Sequence, residues 1–389
     1  MSQRYLQTDL ATDALARHKM AFLSGPRQVG KTTLGRALLT SPHNYFSWDN
    51  PQFRRLWIAD PVGAVAERGY GPVLLDEIHK DAQWKDRLKG LYDMRGADVP
   101  ILVTGSARLD IFRRGGDSLL GRYLPYRLHP FSVGERPVSL LPDALEFGAA
   151  PAHAWADLLR LGGFPEPLLD ASEARAKRWS RLRAERLLTE DVRDLRNIRD
   201  LQLLRLLTDL LPERVGSLLS LNALREVLGI SFATVRDWVA VLEELYHCFT
   251  IRPWDKRVAR SIVSAPKLYL FDPLPIASLP ARRENLMALH LLKACHYWTD
   301  LAHGEFDLWF VRTRDGVEVD FLLSRDGKPW MLVECKSSDT APAPALRRFA
   351  AELGTVHNIQ VVDVEGYDRA YAENGVRVLG YERFLAGLV

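Results

Sequence analysis

Cysteine is scarce in this sequence. There are three in 389 residues, at positions 248, 295 and 335. They are odd in number, widely spaced and form no C-x-x-C pair, which excludes a disulfide framework or a cysteine-based zinc site and fits the reducing cytosol. Long apolar runs are absent too. Nothing approaches the roughly 18 residues that cross a bilayer, and the opening MSQRYLQTDL lacks the apolar stretch of a signal peptide. A cytoplasmic protein with no membrane partner is therefore expected. Nor does one sign of charge dominate: 52 basic against 49 acidic residues leave a net +3, too little to announce a nucleic-acid binder. What remains is the make-up of a folded globular chain, 47% hydrophobic and 26% charged. At roughly 100–200 residues per domain its length suggests two to four domains.

The strongest pattern is GPRQVGKTT at residues 25–33, which fits G-x-x-x-x-G-K-[ST] at every fixed position. Ala21-Phe22-Leu23-Ser24 before it reads as a buried strand, and residues 34–39 continue a helix. Glycines let such a loop wrap phosphates, while backbone N–H groups and the helix start supply positive potential. Gly25, Pro26, Arg27, Gln28, Val29, Gly30, Lys31, Thr32 and Thr33 are thus the candidate ATP cradle. Lys31 would reach the β- and γ-phosphates, and the Thr32 hydroxyl would bind Mg²⁺. The complementary half is Pro72-Val73-Leu74-Leu75-Asp76-Glu77, an apolar strand delivering two acids at its C-terminal end. Asp76 is expected in the Mg²⁺ shell, and Glu77 is expected to orient or deprotonate the attacking water. A further strand, residues 100–103, ends in Thr104-Gly105-Ser106, so Thr104 and Ser106 are candidate γ-phosphate sensors. Arg108, Arg113, Arg114 and Arg122 follow. One could serve as an arginine finger, in cis or on a neighbouring subunit, worth about 10³–10⁵ in rate. Arg122 is the favoured candidate.

Residues 150–215 read as helices, interrupted by the rigid turn Gly162-Gly163-Phe164-Pro165. Residues 173–186 hold six basic and two acidic side chains, a local +4 that reads as a solvated helix face or a phosphate contact. A helix-turn-helix pattern follows. Ser220 is placed to cap one helix, Gly229 to make the turn and Ser231 to cap a second helix with a buried stripe of Val235, Trp238, Val239, Leu242 and Leu245. A strand at residues 249–254 and basic residues Lys256, Arg257 and Arg260 suggest a wing. The second helix's outward positions, Thr234, Arg236, Asp237, Glu243 and Glu244, are less basic than a reader of DNA bases would show.

From about residue 266 the texture changes to short strands. Residues 308–313 and 317–323 read as a hairpin, and residues 330–336 as a third strand on which Glu334 and Lys336 share a face. Glu284 opens an apolar helix on a face shared with Met287, Ala288 and Leu291. Glu284, Asp320, Glu334 and Lys336 together match the acid-then-D…E-x-K arrangement of restriction-endonuclease-like nucleases. In that chemistry carboxylates on adjacent strands hold Mg²⁺ and the lysine helps activate water. Residues 281–389 carry 13 basic and 16 acidic side chains, net −3, a poor balance for gripping a polyanion unaided.

GPRQVGKTT, VLLDEIHK, TGSAR, the GR–YRLHPFS segment, GGFPEP, KLYLFDP and GVEVDFLL…VECKSS resemble, in this order and over nearly the whole chain, a bacterial and archaeal family of AAA-type ATPases. These end in a domain of unknown function similar to the restriction-endonuclease fold. The resemblance implies an α/β P-loop ATPase core (residues 1–135), a helical lid or linker (136–200), a winged helix (201–265) and a nuclease-like α/β domain (266–389). Gly163-Phe164-Pro165 also resembles the G-x-P element of signal-transducing ATPases, which implies a proline near the nucleotide. The expected activity is Mg²⁺-dependent ATP hydrolysis controlling the C-terminal modules on DNA. The alternative is a nucleotide-dependent switch that binds a protein partner and cleaves nothing. Related ATPases share catalytic groups across subunits, so a homo-oligomer is compatible with either.

Overall fold

A computed structural model of the chain describes residues 4–66, 71–95, 99–105, 119–135, 141–148, 154–192, 200–255 and 264–389. The described residues form two compact units. One runs up to Pro130. The other combines Phe131–Glu135 with the residues from 141 onward.

The first unit is built on a five-stranded parallel sheet in the order β2-β3-β4-β1-β5. Its strands are β1 (Met20–Ser24), β2 (Tyr45–Ser47), β3 (Val73–Asp76), β4 (Ile101–Thr104) and β5 (Tyr123–Arg127). β1, β3 and β4 are buried along their whole length, which is why their sequences are unbroken apolar runs instead of alternating ones. The pairing Asp76↔Thr104 and Leu23↔Thr104 brings the C-terminal ends of β1, β3 and β4 to one edge. β1 lies between β4 and β5, so the chain crosses from one side of it to the other. Crevices at such switch points are where α/β sheets bind ligands. One face of the sheet is closed by Phe53 and Trp57 of the Pro51–Ala59 helix and by Trp84, Leu88 and Leu91 of the Trp84–Arg95 helix.

The second unit begins with helices Ala154–Leu161, Pro165–Asp170, Glu173–Arg186 and Leu201–Leu210. The helix-turn-helix expected from the caps is there. Ser220 Oγ accepts from Ala223 N–H, Gly229 turns at φ +66° and Ser231 Oγ accepts from Thr234 N–H. The stripe from Val235 to Leu245 is buried. A hairpin of β6 (Cys248–Pro253) and β7 (Lys267–Leu270) follows; Lys256, Arg257 and Arg260, expected on the wing, lie outside the described residues. The hairpin does not stand alone. It forms the end of an eight-stranded mixed sheet, β12-β13-β11-β10-β9-β8-β6-β7. The other members are β8 (Phe306–Arg312), β9 (Glu318–Arg325), β10 (Lys328–Lys336), β11 (His357–Val362), β12 (Asp368–Tyr371) and β13 (Val376–Gly380). Residues expected in a separate winged helix and a nuclease-like domain thus share one sheet. The 22-residue helix Leu279–Asp300 buries Met287, Ala288, Leu291, Ala294 and Trp298.

The local +4 at residues 173–186 is only partly a solvated face. Arg183 is buried, stacks 4.3 Å above the Phe164 ring and donates to Tyr246 O. Arg178 and Arg181 line a cavity of about 890 Å³. Among the described residues no helix is long and apolar enough to cross a membrane.

Candidate functional site

The loop after β1 has the backbone its glycines allow. Gly25 sits at φ +143°, and a Cβ there would lie 2.3 Å from Leu128 O, so only glycine fits. Gly30, at φ +98°, precedes the Lys31–Ala37 helix. Lys31 is buried, and its ammonium donates to Gly25 O (2.9 Å) and Pro26 O (2.8 Å). It thus folds over the loop it would share with phosphates. Val29 is fully buried beneath, while Arg27 and Thr33 are exposed and Gln28 takes a left-handed φ of 64°. Arg4, which sequence reasoning missed, braces the loop from below. Its buried guanidinium donates to Val29 O (2.9 Å) and His129 O (2.6 Å). No motif announces it.

Asp76 ends β3 as the acceptor of three hydroxyls: Thr32 Oγ1 and Tyr45 Oη at 3.0 Å on Oδ2, and Thr104 Oγ1 at 2.5 Å on Oδ1. Thr32 and Asp76 are therefore adjacent, as the motif pair requires, and Thr104 belongs to the same knot. Tyr45, on β2, is a further missed member. Burial and the Asp76 charge push its hydroxyl pKa upward, keeping it a donor. A carboxylate and a hydroxyl side by side offer hard oxygen ligands of the kind Mg²⁺ takes when it also binds phosphate oxygens. The residues present fit that ion, and Thr32 and Asp76 are the ones that would hold it.

Glu77 adopts φ +58°, and its N–H donates to Thr104 O at 2.9 Å. Its carboxylate lies 3.6 Å from buried His79 Nε2 and 3.7 Å from Lys80 Nζ, which also pairs with Asp49 at 2.9 Å. Burial raises the Glu77 pKa, while Lys31 and Lys80 oppose that rise. A carboxylate so raised is a better proton acceptor than a free one.

Arg122 is not beside this knot. It precedes β5, its carbonyl bonds Met20 N–H, and Met20 begins the strand that Ser24 ends. At about 3.3 Å per residue it sits roughly 13 Å away, at the opposite edge of the sheet from the loop. Its guanidinium is held by Asp93 (2.7 Å). This position does not support the in-cis form of the expectation; the form in which it contacts a neighbouring subunit's nucleotide is not addressed by it. Ser106, Arg108, Arg113 and Arg114 lie outside the described residues. The Gly163-Phe164-Pro165 turn belongs to the second unit, where Phe131 N–H donates to Gly163 O.

In the second unit Glu284, Asp320, Glu334 and Lys336 do come together, but not around an open centre. Lys267 Nζ, from β7, lies 3.5 Å from Glu284, 2.5 Å from Glu318 and 3.7 Å from Asp320. Tyr269, two residues on and on the same face, donates to Glu284 at 2.7 Å. Asp320 Oδ2 accepts Cys335 N–H, Glu334 Oε2 accepts Asp320 N–H, and Lys336 pairs with Glu334 at 2.6 Å. Burial first, and then Asp320, pushes both Glu284 and Glu334 up to about 7. Among the described residues no group of three or more His, Cys, Asp or Glu side chains is arranged to hold a metal ion. Glu284 and Asp320, which the nuclease-like pattern would turn toward Mg²⁺, instead flank the Lys267 ammonium. Lys267 and Tyr269 stand in KLYLFDP and Glu318 in GVEVDFLL, but neither motif marks them as members of this cluster.

Three family matches tile the chain. Residues 17–136 match the AAA domain family, 152–282 a domain of unknown function (DUF8612) and 281–384 a domain of unknown function (DUF4143). The uncharacterized protein MJ1637 of Methanocaldococcus jannaschii is 27% identical over 436 residues, spanning 99% of this chain and 84% of the relative. The uncharacterized protein Rv2008c of Mycobacterium tuberculosis is 24% identical over 348 residues, spanning 87% and 75%. Among solved structures, the Aeropyrum pernix ORC1 protein in complex with DNA matches at 17% identity and a TM-score of 0.33, over 74% of this chain and 93% of that one.

Proposed function

We infer the activity from what the chain is, a P-loop protein with an AAA domain followed by a C-terminal DUF4143 domain: it binds ATP with Mg²⁺ and hydrolyses it. The observation that carries this reading is the convergence of Thr32, Tyr45 and Thr104 on Asp76 at the edge where the phosphate loop begins. The loop N–H groups and Lys31 bind and orient the phosphates. Thr32 and Asp76 hold Mg²⁺, which when bound neutralises phosphate charge. Glu77 takes the proton of the attacking water, and Lys80, tethered to Asp49, positions it. ADP and phosphate leave.

The nucleotide state is proposed to control the second unit on DNA, through the helix-turn-helix and its adjoining hairpin. The other reading, a switch that grips a protein, is favoured by one specific observation. On the second helix Arg236 is already paired with Asp237 at 3.1 Å, leaving little free positive charge there for phosphates.

Steady-state ATP turnover with Mg²⁺, alone and with duplex, single-stranded and branched DNA, tests both. Glu77→Gln should retain ATP binding and lose turnover, and Lys31→Ala should weaken binding itself. Unchanged turnover in Glu77→Gln would sink the hydrolytic assignment. Stimulation by one DNA form supports the DNA reading, whereas indifference to all of them moves the weight to a protein partner.

A further inference from the structure

The acids of the second unit match a divalent-cation site in their sequence order, yet a cation of the chain's own already stands among them. Lys267 is 3% exposed, and its ammonium lies within 4 Å of three carboxylates, Glu284 on the Leu279–Asp300 helix and Glu318 and Asp320 on β9. It has nowhere to withdraw. Its backbone is laddered to Ile251 on β6 and bridged to Leu218, and its ammonium lies 5.5 Å from the centre of the Phe310 ring. The remaining oxygens are aimed by the sheet itself. Asp320 Oδ2 is turned to Cys335 N–H, Glu334 Oε2 to Asp320 N–H, and Glu334 Oε1 to Lys336. A divalent ion needs several carboxylate or carbonyl oxygens at roughly 2.0–2.6 Å converging on one point. Here such a point would have to be shared with an enclosed ammonium, and like charges that close inside a protein repel strongly.

We propose that Lys267 is the resident cation of this acid cluster, that it takes the place of a divalent metal, and that the domain consequently does not cleave phosphodiesters. The cluster then serves as an ion-pair lock. It joins β7, β9 and the start of the Leu279–Asp300 helix, so the end of the sheet that carries the hairpin is fixed to the remainder. The inference does not depend on the ATP site, and its test uses no nucleotide.

The full-length protein is titrated with Mn²⁺ up to about 1 mM, a range that captures even weak oxygen-ligand sites, with the free ion followed by electron paramagnetic resonance. Wild type and Asp320→Asn should bind the same number of ions, any contribution from the phosphate loop being common to both. Neither should nick duplex or single-stranded DNA in Mn²⁺. One ion bound by the wild type and lost in Asp320→Asn overturns the proposal, as does Mn²⁺-dependent cleavage lost in that variant. A second arm reads the lock. Lys267→Met should lower the melting temperature by several degrees, and Lys267→Met/Asp320→Asn should recover part of it, the non-additivity expected of contacting charges. Strictly additive losses would contradict the ion-pair role. Should Lys267→Met not fold, the Mn²⁺ comparison still decides.

Discussion

Asp76 carries more of the nucleotide site than its place in the sequence suggests, because three hydroxyls from three elements converge on one carboxylate. Two come from residues with a recognisable role, Thr32 after the loop lysine and Thr104 at the end of β4. The third, Tyr45, lies on a three-residue strand without a motif, beyond the reach of spacing arguments. Its hydroxyl fixes the orientation of Asp76. Tyr45→Phe is accordingly expected to raise the Mg²⁺ concentration needed for half-maximal turnover by roughly 10-fold, the scale of an outer-shell hydrogen bond to a metal ligand. ATP affinity measured without Mg²⁺ should change little. A metal titration of turnover, set beside nucleotide binding in a chelator, separates the two. Lys267 is the opposite case. It stands in a quoted motif, KLYLFDP, and its chemistry stayed hidden because a lysine on a short strand has no meaning until the acids opposite it are known.

At the scale of elements, strands and caps were the legible part. Continuous apolar runs gave β1, β3 and β4, though not β2 or β5, and Ser220, Gly229 and Ser231 fell where cap chemistry puts them. What pattern does not carry is the partner of each strand. The hairpin of β6 and β7 pairs with β8 through Arg252↔Trp309, a long-range contact with no local signal, and so a boundary near residue 266 looked natural in the sequence and is absent from the sheet. The segment Phe131–Glu135 is another such case. Val133 N–H donates to His290 Nε2 at 3.0 Å, and His290 Nδ1–H donates to Leu286 O at 2.6 Å. Both ring nitrogens are committed in the neutral form, and burial drives the His290 pKa down to about 4. Below about pH 6.5 the unfolded chain takes up a proton that the folded ring refuses. Stability present above that pH is therefore lost as pH falls toward 4, on the order of 2 kcal/mol by pH 5. The advantage of wild type over His290→Gln in denaturant midpoint should shrink over the same window.

For the whole molecule the titrations oppose one another. Glu284 and Glu334, held up to about 7, contribute stability that is full below their unfolded pKa and fades as pH rises through 7. The buried histidines His247, driven down by burial and Arg183, and His290 act in the other direction. A melting curve of the wild type against pH should consequently look flat between about pH 5 and 7, and Glu334→Gln should gain stability relative to wild type as pH rises from about 4.5 to 7 and level off above that. The two-unit architecture also bears on how the protein is handled. The family match to the AAA domain begins at residue 17, yet Arg4 ties Val29 O to His129 O, and Tyr5 bonds both Arg127 O and His129 N–H. Expression plasmids cut at the family boundary would discard this clamp. A fragment starting at residue 17 should bind ATP more weakly than one starting at residue 1, by calorimetric titration, although every motif residue is still in it.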